Sequence, residues 1–496
     1  MNPQSNFMIV APVAEGCRPA LEDLLEKMNH SGSPGMADPD NAVFPFGEFN
    51  VLHFSRFVIL DDKTLGDFEE LDLPVPAYPI TLAFLGDCDG PADDVLNAFA
   101  THPLAAAGLR KIFSNCAGFS QGADLVAWMK AHEHPPAAAY VNWIGRSVQQ
   151  VREEAALREA LCDELSAYKT TQPDKIEDVA AIHRHLQNFV EQNPALAPTP
   201  PPRTPISWLV RNALHFAIIP ALLLLPWLIA IPFLMPTPLF FWIIIPSSVL
   251  AAIVFAYLVR RATVTLAIIA VLGLFLVAFL ILFRWVLVAA GLALIGFIVI
   301  LRHHEKTEPE IIREPTDEHI RKLAVREDYD VTNQFSIVGS VKPGRFRRWL
   351  TVVLLWLIDY GARHIYNRGH LGRIQTIHFA RWTFIDDKKR LIFASNYDGS
   401  LEAYMDDFIN KVGWGLNLAF GGGVGYPRVN WLILNGSREE QKFKYTLRRH
   451  QLPTEVWYKA YPGLTAFDLA RNSRVHTGIK RARMSEAEIR AWLHDL

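Results

Sequence analysis

The 496-residue chain predicts an α+β fold written in two copies, with an α-helical transmembrane segment inserted between them. Three observations carry that expectation. Residues 52–62 read LHFSRFVILDD and residues 377–387 read IHFARWTFIDD, nearly the same strand twice. The block between them, 206–301, is almost continuously apolar, with Arg211, Arg260, Arg261 and Arg284 as its only formal charges. Each HF-x-R strand also occurs in the same order of predicted elements.

The first copy spans 1–150. It opens with FMIVAPVAEG (7–16), which matches FSIVGSVKPG (335–344) at the start of the second copy, 333–480. A helix follows in each: RPALEDLLEKM, then RFRRWLTVVLLWLIDYGARHIY. The HF-x-R strands come next, then TLAFLGDCDG and RLIFASNYDG, strands rich in Val, Ile, Phe and Tyr that end in an Asp-Gly turn. A helix and a last strand close each copy. HEHPPAAAYVNWIG (132–145) and HQLPTEVWYKAYPG (450–463) keep His, Pro, Tyr and Gly in step.

Residues 151–205 form a helical and Pro-rich linker that ends in PALAPTPPPRTP, a semi-rigid spacer. Residues 302–332 are a charged linker, and 481–496 a C-terminal helix. Within 206–301, apolar runs fall at 213–234, 238–259, 263–283 and 285–301. The first three match a bilayer core about 30 Å thick, and the fourth is marginal. Arg203, Arg211, Arg260, Arg261, Arg302 and Lys306 all lie inside if four spans leave both ends in the cytoplasm. The expected location is therefore the inner (plasma) membrane, with both soluble halves cytoplasmic.

The order strand, helix, strand, strand, helix, strand is the split β-α-β ferredoxin-like unit. Two such units in one chain resemble the dimeric α+β barrel superfamily, in which two ferredoxin-like sheets pair face to face as a pseudo-dimer. The resemblance covers most of 5–150 and 330–480 and rests on element order. The superfamily includes small monooxygenases, chlorite dismutase and the dye-decolorizing haem peroxidases. The peroxidases carry a G-x-x-D-G loop with a distal Asp, a distal Arg and a proximal His. Here Ser395-Asn396-Tyr397-Asp398-Gly399 lacks the first Gly. The resemblance implies haem as a cofactor, Asp398 and Arg381 as catalytic residues, and His370 or His378 as the haem ligand.

The residues themselves allow plainer readings. In a strand, neighbours alternate in face, so either His378 or Arg381 should face the space between the sheets, not both. Arg381 then either binds ligand or braces Asp386, Asp398 or a backbone carbonyl. The first copy repeats the same His, Arg and Asp, which favours a structural device. Asp406 and Asp407 complement a helix N-terminus or act as paired carboxylates. His303-His304-Glu305 sits where juxtamembrane polar residues belong. The glycine-rich stretch 413–426 has no Lys or Ser/Thr for a phosphate loop, and reads as a flexible apolar loop.

Trp349 to Ile358 is nearly all apolar, where the first copy's helix is charged. It is too short to span. Arg347, Arg348, Trp349 and Trp356 suit a helix lying in the headgroup region. The net charge of -2 gives no reason to expect nucleic acid. Four scattered cysteines fit a reduced compartment, and no signal peptide is expected at the N-terminus. Two functions fit: an oxidoreductase of peroxidase or monooxygenase type acting on an apolar membrane-derived small molecule, or a non-catalytic membrane-anchored ligand-binding or sensor protein. The lipid bilayer is the expected partner of both.

Overall fold

The computed structural model describes residues 3–173, 177–234 and 284–496. It divides into two units, one joining 1–205 to 309–496 and the other covering 206–308. The first unit is mixed α and β. Its strands are β1 (Gln4–Pro12), β2 (Gly35–Met36), β3 (Leu52–Leu60), β4 (Thr81–Asp89), β5 (Ala138–Val141), β6 (Thr332–Ser340), β7 (Ile377–Ile385), β8 (Arg390–Asp398), β9 (Val429–Asn430), β10 (Leu434–Asn435) and β11 (Thr454–Lys459). The helices that matter for the site are α1 (Arg18–Glu26), α2 (Ala92–Thr101), α3 (Val148–Thr171), α4 (Ile206–Leu234), α5 (Arg284–Thr307), α6 (Arg345–His364), α7 (Leu401–Phe420), α8 (Ala466–Ile479) and α9 (Glu486–Leu493).

One sheet has the order β1-β4-β3-β11-β2 and the other β5-β7-β8-β6. The last strand of each half therefore sits in the other half's sheet. β5 pairs antiparallel with β7, Ala139 opposite Arg381. β11 pairs antiparallel with β3, Trp457 opposite Arg56. Sequence pattern places each strand with its own half. The exchange is invisible to it because ladder bonds come from the backbone, so an open edge at β3 or β7 accepts either copy.

The period-two pattern is obeyed elsewhere. Met8, Val10, Val58, Leu60 and Leu85 of one sheet share a buried cluster with Val338, Ile385, Ile392 and Ala394 of the other, so the sheets pack face to face. Alternate residues turn outward. Phe7, Ile9, Phe57 and Phe84 pack with α1 and α2 through Leu21, Leu25 and Phe99. Phe335, Trp382 and Phe393 pack with α6 and α7 through Leu355, Tyr404 and Phe408.

Two expectations change. Residues 413–420, expected as a loop, complete α7, which breaks only at Val412. Glycine serves close approach after it: a Cβ on Gly422 would meet Thr351 Oγ1 of α6 at 2.3 Å. In the second unit, Val288–Thr307 is long and apolar enough to cross a membrane, and Ile206–Leu222 is a shorter apolar helix. The runs at 238–259 and 263–283 lie outside the described residues. A polytopic arrangement is not supported among the described residues, where one helix passes.

Candidate functional site

The HF-x-R strands supply the polar groups between the sheets. Arg56 and Arg381 are both buried. Arg56 donates to the carbonyls of Phe335 (3.0 Å) and Ser395 (3.0 Å), to Ser336 Oγ (2.9 Å) and to Asn396 Oδ1. Arg381 donates to the carbonyl of Phe7 (2.7 Å) and to Asp87. Each arginine thus reaches across to the middle of the first strand of the other half, and Arg56 reaches β8 as well. Burial pulls the Arg56 guanidinium down to about 9, against the opposing pull of Asp87.

The histidines bond a carboxylate of their own sheet and pack their rings on the other. His53 Nε2 bonds Asp89 Oδ1 at 3.1 Å, and His378 Nε2 bonds Asp398 Oδ1 at 2.7 Å. The other oxygen of each Asp accepts a backbone N–H at a helix start: Val148 of α3 for Asp89 (2.9 Å), Ala466 of α8 for Asp398 (2.8 Å). His53 packs on Phe379 with ring centres 5.1 Å apart, and His378 on Phe54 at 5.5 Å. His378 and Arg381 therefore both reach the other sheet, against strict alternation. The reason is a bulge between Ile377 and Phe379, matched by one between Leu52 and Phe54, which inserts one residue and resets the facing.

His53, His378 and Tyr461 line a cavity of about 20 Å³ together with Arg146. Tyr461 Oη lies 3.1 Å from His53 Nδ1, and burial holds its phenol well above the usual range. That space takes roughly one water. A drug-sized ligand needs roughly 300 Å³ or more, so haem does not fit beside His378. His370 lies in the turn before β7, and its Nδ1 bonds the Gly372 carbonyl at 2.8 Å. The structure does not bring His370 to His378 or Asp398 in one cavity. Among the described residues no group of three or more His, Cys, Asp or Glu side chains could hold a metal ion.

The remaining candidates separate. Arg347 is buried, on the inner side of α6, so it is not presented at the surface. Arg348 and Trp356 are half-buried on α6. Trp349 is exposed, with the Lys388 ammonium 5.1 Å from its ring centre. Asp406 pairs with Lys444 (2.5 Å) and Asp407 with Lys411 (2.7 Å), ordinary surface ion pairs.

Sequence reasoning missed one feature. A cleft of about 620 Å³ lies between the loop after β5, helix α8 and helix α9. Trp143, Arg146, Ser473, Arg474, Thr477 and Arg481 contribute to its walls. Arg474 is paired with Asp495 at 2.6 Å, and Arg481 lies 3.6 Å from Glu488. Arg146 stacks over Trp143 at 4.7 Å, and its buried Nε has no hydrogen-bonding partner among the described residues. The available signal was an asymmetry: aligning the two last strands puts Trp143 against Tyr461 and Arg146 against Leu464.

No protein-family model, curated protein or solved structure matches the chain.

Proposed function

We propose that the protein is a membrane-anchored, non-catalytic ligand-binding or sensor protein, whose two ferredoxin-like halves pair as a pseudo-dimer on the cytoplasmic face. The matched use of Arg56 and Arg381, and of His53 and His378, is the observation that carries this reading. Residues that catalysis would need are consumed in duplicated internal bonds. The haem oxidoreductase alternative loses support from the 20 Å³ cavity beside His378. The strand order of the two sheets supports the paired-unit reading, since β1-β4-β3-β11 and β6-β8-β7-β5 correspond element by element.

Both ends of the apolar insertion enter the same folded unit. An insertion of that kind crosses the bilayer an even number of times or not at all. The apolar composition of 206–301 supports anchoring. Adding haemin to the purified full-length chain tests the proposal. No Soret band should develop, and mass spectrometry of the denatured protein should release a small molecule. A stoichiometric Soret band lost in His370→Ala or His378→Ala contradicts it.

A further inference from the structure

We propose that the cleft between the Trp143–Arg146 loop, α8 and α9 binds a small organic oxyanion, a carboxylate or phosphate ester, with Arg146 as its charge reader and Trp143 as its aromatic wall. This deepens the ligand-binding proposal and rests on it.

Arg146 is 5 % exposed. A guanidinium offers five N–H donors, and burying one without an acceptor is costly. Its Nε is fully buried and unpartnered, and no ion pair reaches the group among the described residues. Glu154 is the carboxylate whose field Arg146 feels most. Glu154 Oε1 accepts from Gln150 (2.9 Å) and bonds His476 (2.8 Å), while its Oε2 is buried and, like Arg146 Nε, has no hydrogen-bond partner among the described residues, so the two charges face each other without a bond. Burial lowers the Arg146 pKa, so its charge persists at a cost that an incoming anion would remove.

The setting suits such a ligand. The cleft is open and large enough for a small organic molecule, unlike the cavities of the inter-sheet space. Trp143, Met484, Ala491 and Trp492 give it apolar wall, and Ser473 and Thr477 line it with hydroxyl-bearing side chains. Arg146 also borders the small cavity of His53, His378 and Tyr461, so the cleft ends at the polar centre of the fold. Duplicated residues here make structural bonds; Arg146 is unduplicated, since Leu464 stands at its counterpart position.

The test uses the full-length chain in phosphatidylcholine nanodiscs, followed by thermal unfolding and calorimetry. The probes are inorganic phosphate, phenyl phosphate and benzoate, with phosphatidic acid nanodiscs as a separate arm. Saturable stabilisation by phenyl phosphate or benzoate supports a soluble ligand. Stabilisation by phosphatidic acid alone supports the same site with a lipid headgroup as source. In either case Arg146→Met should weaken binding by about tenfold or more, without lowering the ligand-free melting temperature. Arg146→Lys should fold and bind in between. The site is overturned if no anion stabilises the wild type while Arg146→Met and Glu154→Gln each destabilise it, because Arg146 is then a brace for Glu154. That failure with a colourless protein leaves the proposed function standing, whereas haem uptake removes the function itself.

Discussion

Arg56 and Arg381 trade places across the two sheets: Arg56 donates to the Phe335 carbonyl at 3.0 Å, and Arg381 to the Phe7 carbonyl at 2.7 Å. Phe7 and Phe335 lie at the same place in matched strands, so the exchange ties each half's third element to the other half's first. The one break in the match is chemical. Asp87 stands where the second half has Asn396; it accepts from Arg381 directly and from Asn396, which in turn accepts from Arg56, so one carboxylate serves two buried arginines, the second through Asn396 and through its field.

Asp87→Asn should therefore be the most damaging conservative change in this centre. It leaves Arg381 and Arg56 without a carboxylate, at a cost of about 3–5 kcal/mol. Asn396→Asp should do the reverse, raising the Arg56 pKa and the stability near neutral pH. Urea unfolding of the two variants checks the opposite signs. Equal and small effects would mean that water carries the charge compensation.

Asp89→Ala and Asp398→Ala should destabilise by similar amounts, about 1–3 kcal/mol each. Each removes a bond to a histidine and a bond to the first turn of a helix. The same unfolding measurement reads both. A harmless Asp398→Ala beside a damaging Asp89→Ala would show that Asp398 is held for another purpose.

Alkaline pH should weaken the fold. Burial pushes the thiols of Cys88 and Cys116 up to about 12, and raises the phenols of Tyr140, Tyr397, Tyr404, Tyr426 and Tyr461. These acids keep protons in the fold that the unfolded chain releases. Their stabilising contribution is complete below the ordinary thiol value of 9.0 and is lost as pH rises towards 12. Arg56 opposes them, because its lowered pKa lets the fold shed a proton early above about 9. The acids outnumber it, so melting temperature should fall between pH 9 and 11. Cys88→Ala should flatten that fall; an unchanged slope would place the loss elsewhere.

Much of the fold was legible in the chain, and the failures have physical causes. The order of strands and helices in each copy was legible, because apolar and β-branched runs ending in Asp-Gly turns mark strands. The strand exchange of β5 and β11 was not legible, because the two strands offer equivalent backbone ladders. The bulge at His378 was not legible either, since an extra residue leaves no compositional mark. The 413–420 glycines read as a loop, although close packing after them and an intact helical ladder hold them in α7. Arg146 is not legible in the sequence, because an isolated arginine carries no signal until its burial and unpartnered Nε are seen.

The α6 surface makes a separate prediction. Trp349, Val353 and Leu357, spaced four apart, are 59 %, 52 % and 46 % exposed and form one apolar stripe. Arg345 and Arg348 flank it, which suits an anionic headgroup layer. A nitroxide at Val353→Cys, with Cys17 and Cys162 replaced by Ser, should be more accessible to oxygen than to a polar nickel complex in nanodiscs. A label at exposed Lys63→Cys should show the opposite order. Equal water accessibility at both positions would mean that α6 faces solvent.

The pairing of the two halves across an apolar insertion is tested most directly by sidedness. One epitope tag is inserted at exposed Gly122 in the first half and another follows Leu496 in the second. Because β5 and β11 are exchanged between the sheets, both tags should stay hidden from antibody on intact cells and both should stain after permeabilisation. One tag staining on intact cells while the other stays hidden would contradict a single cytoplasmic body built from both halves.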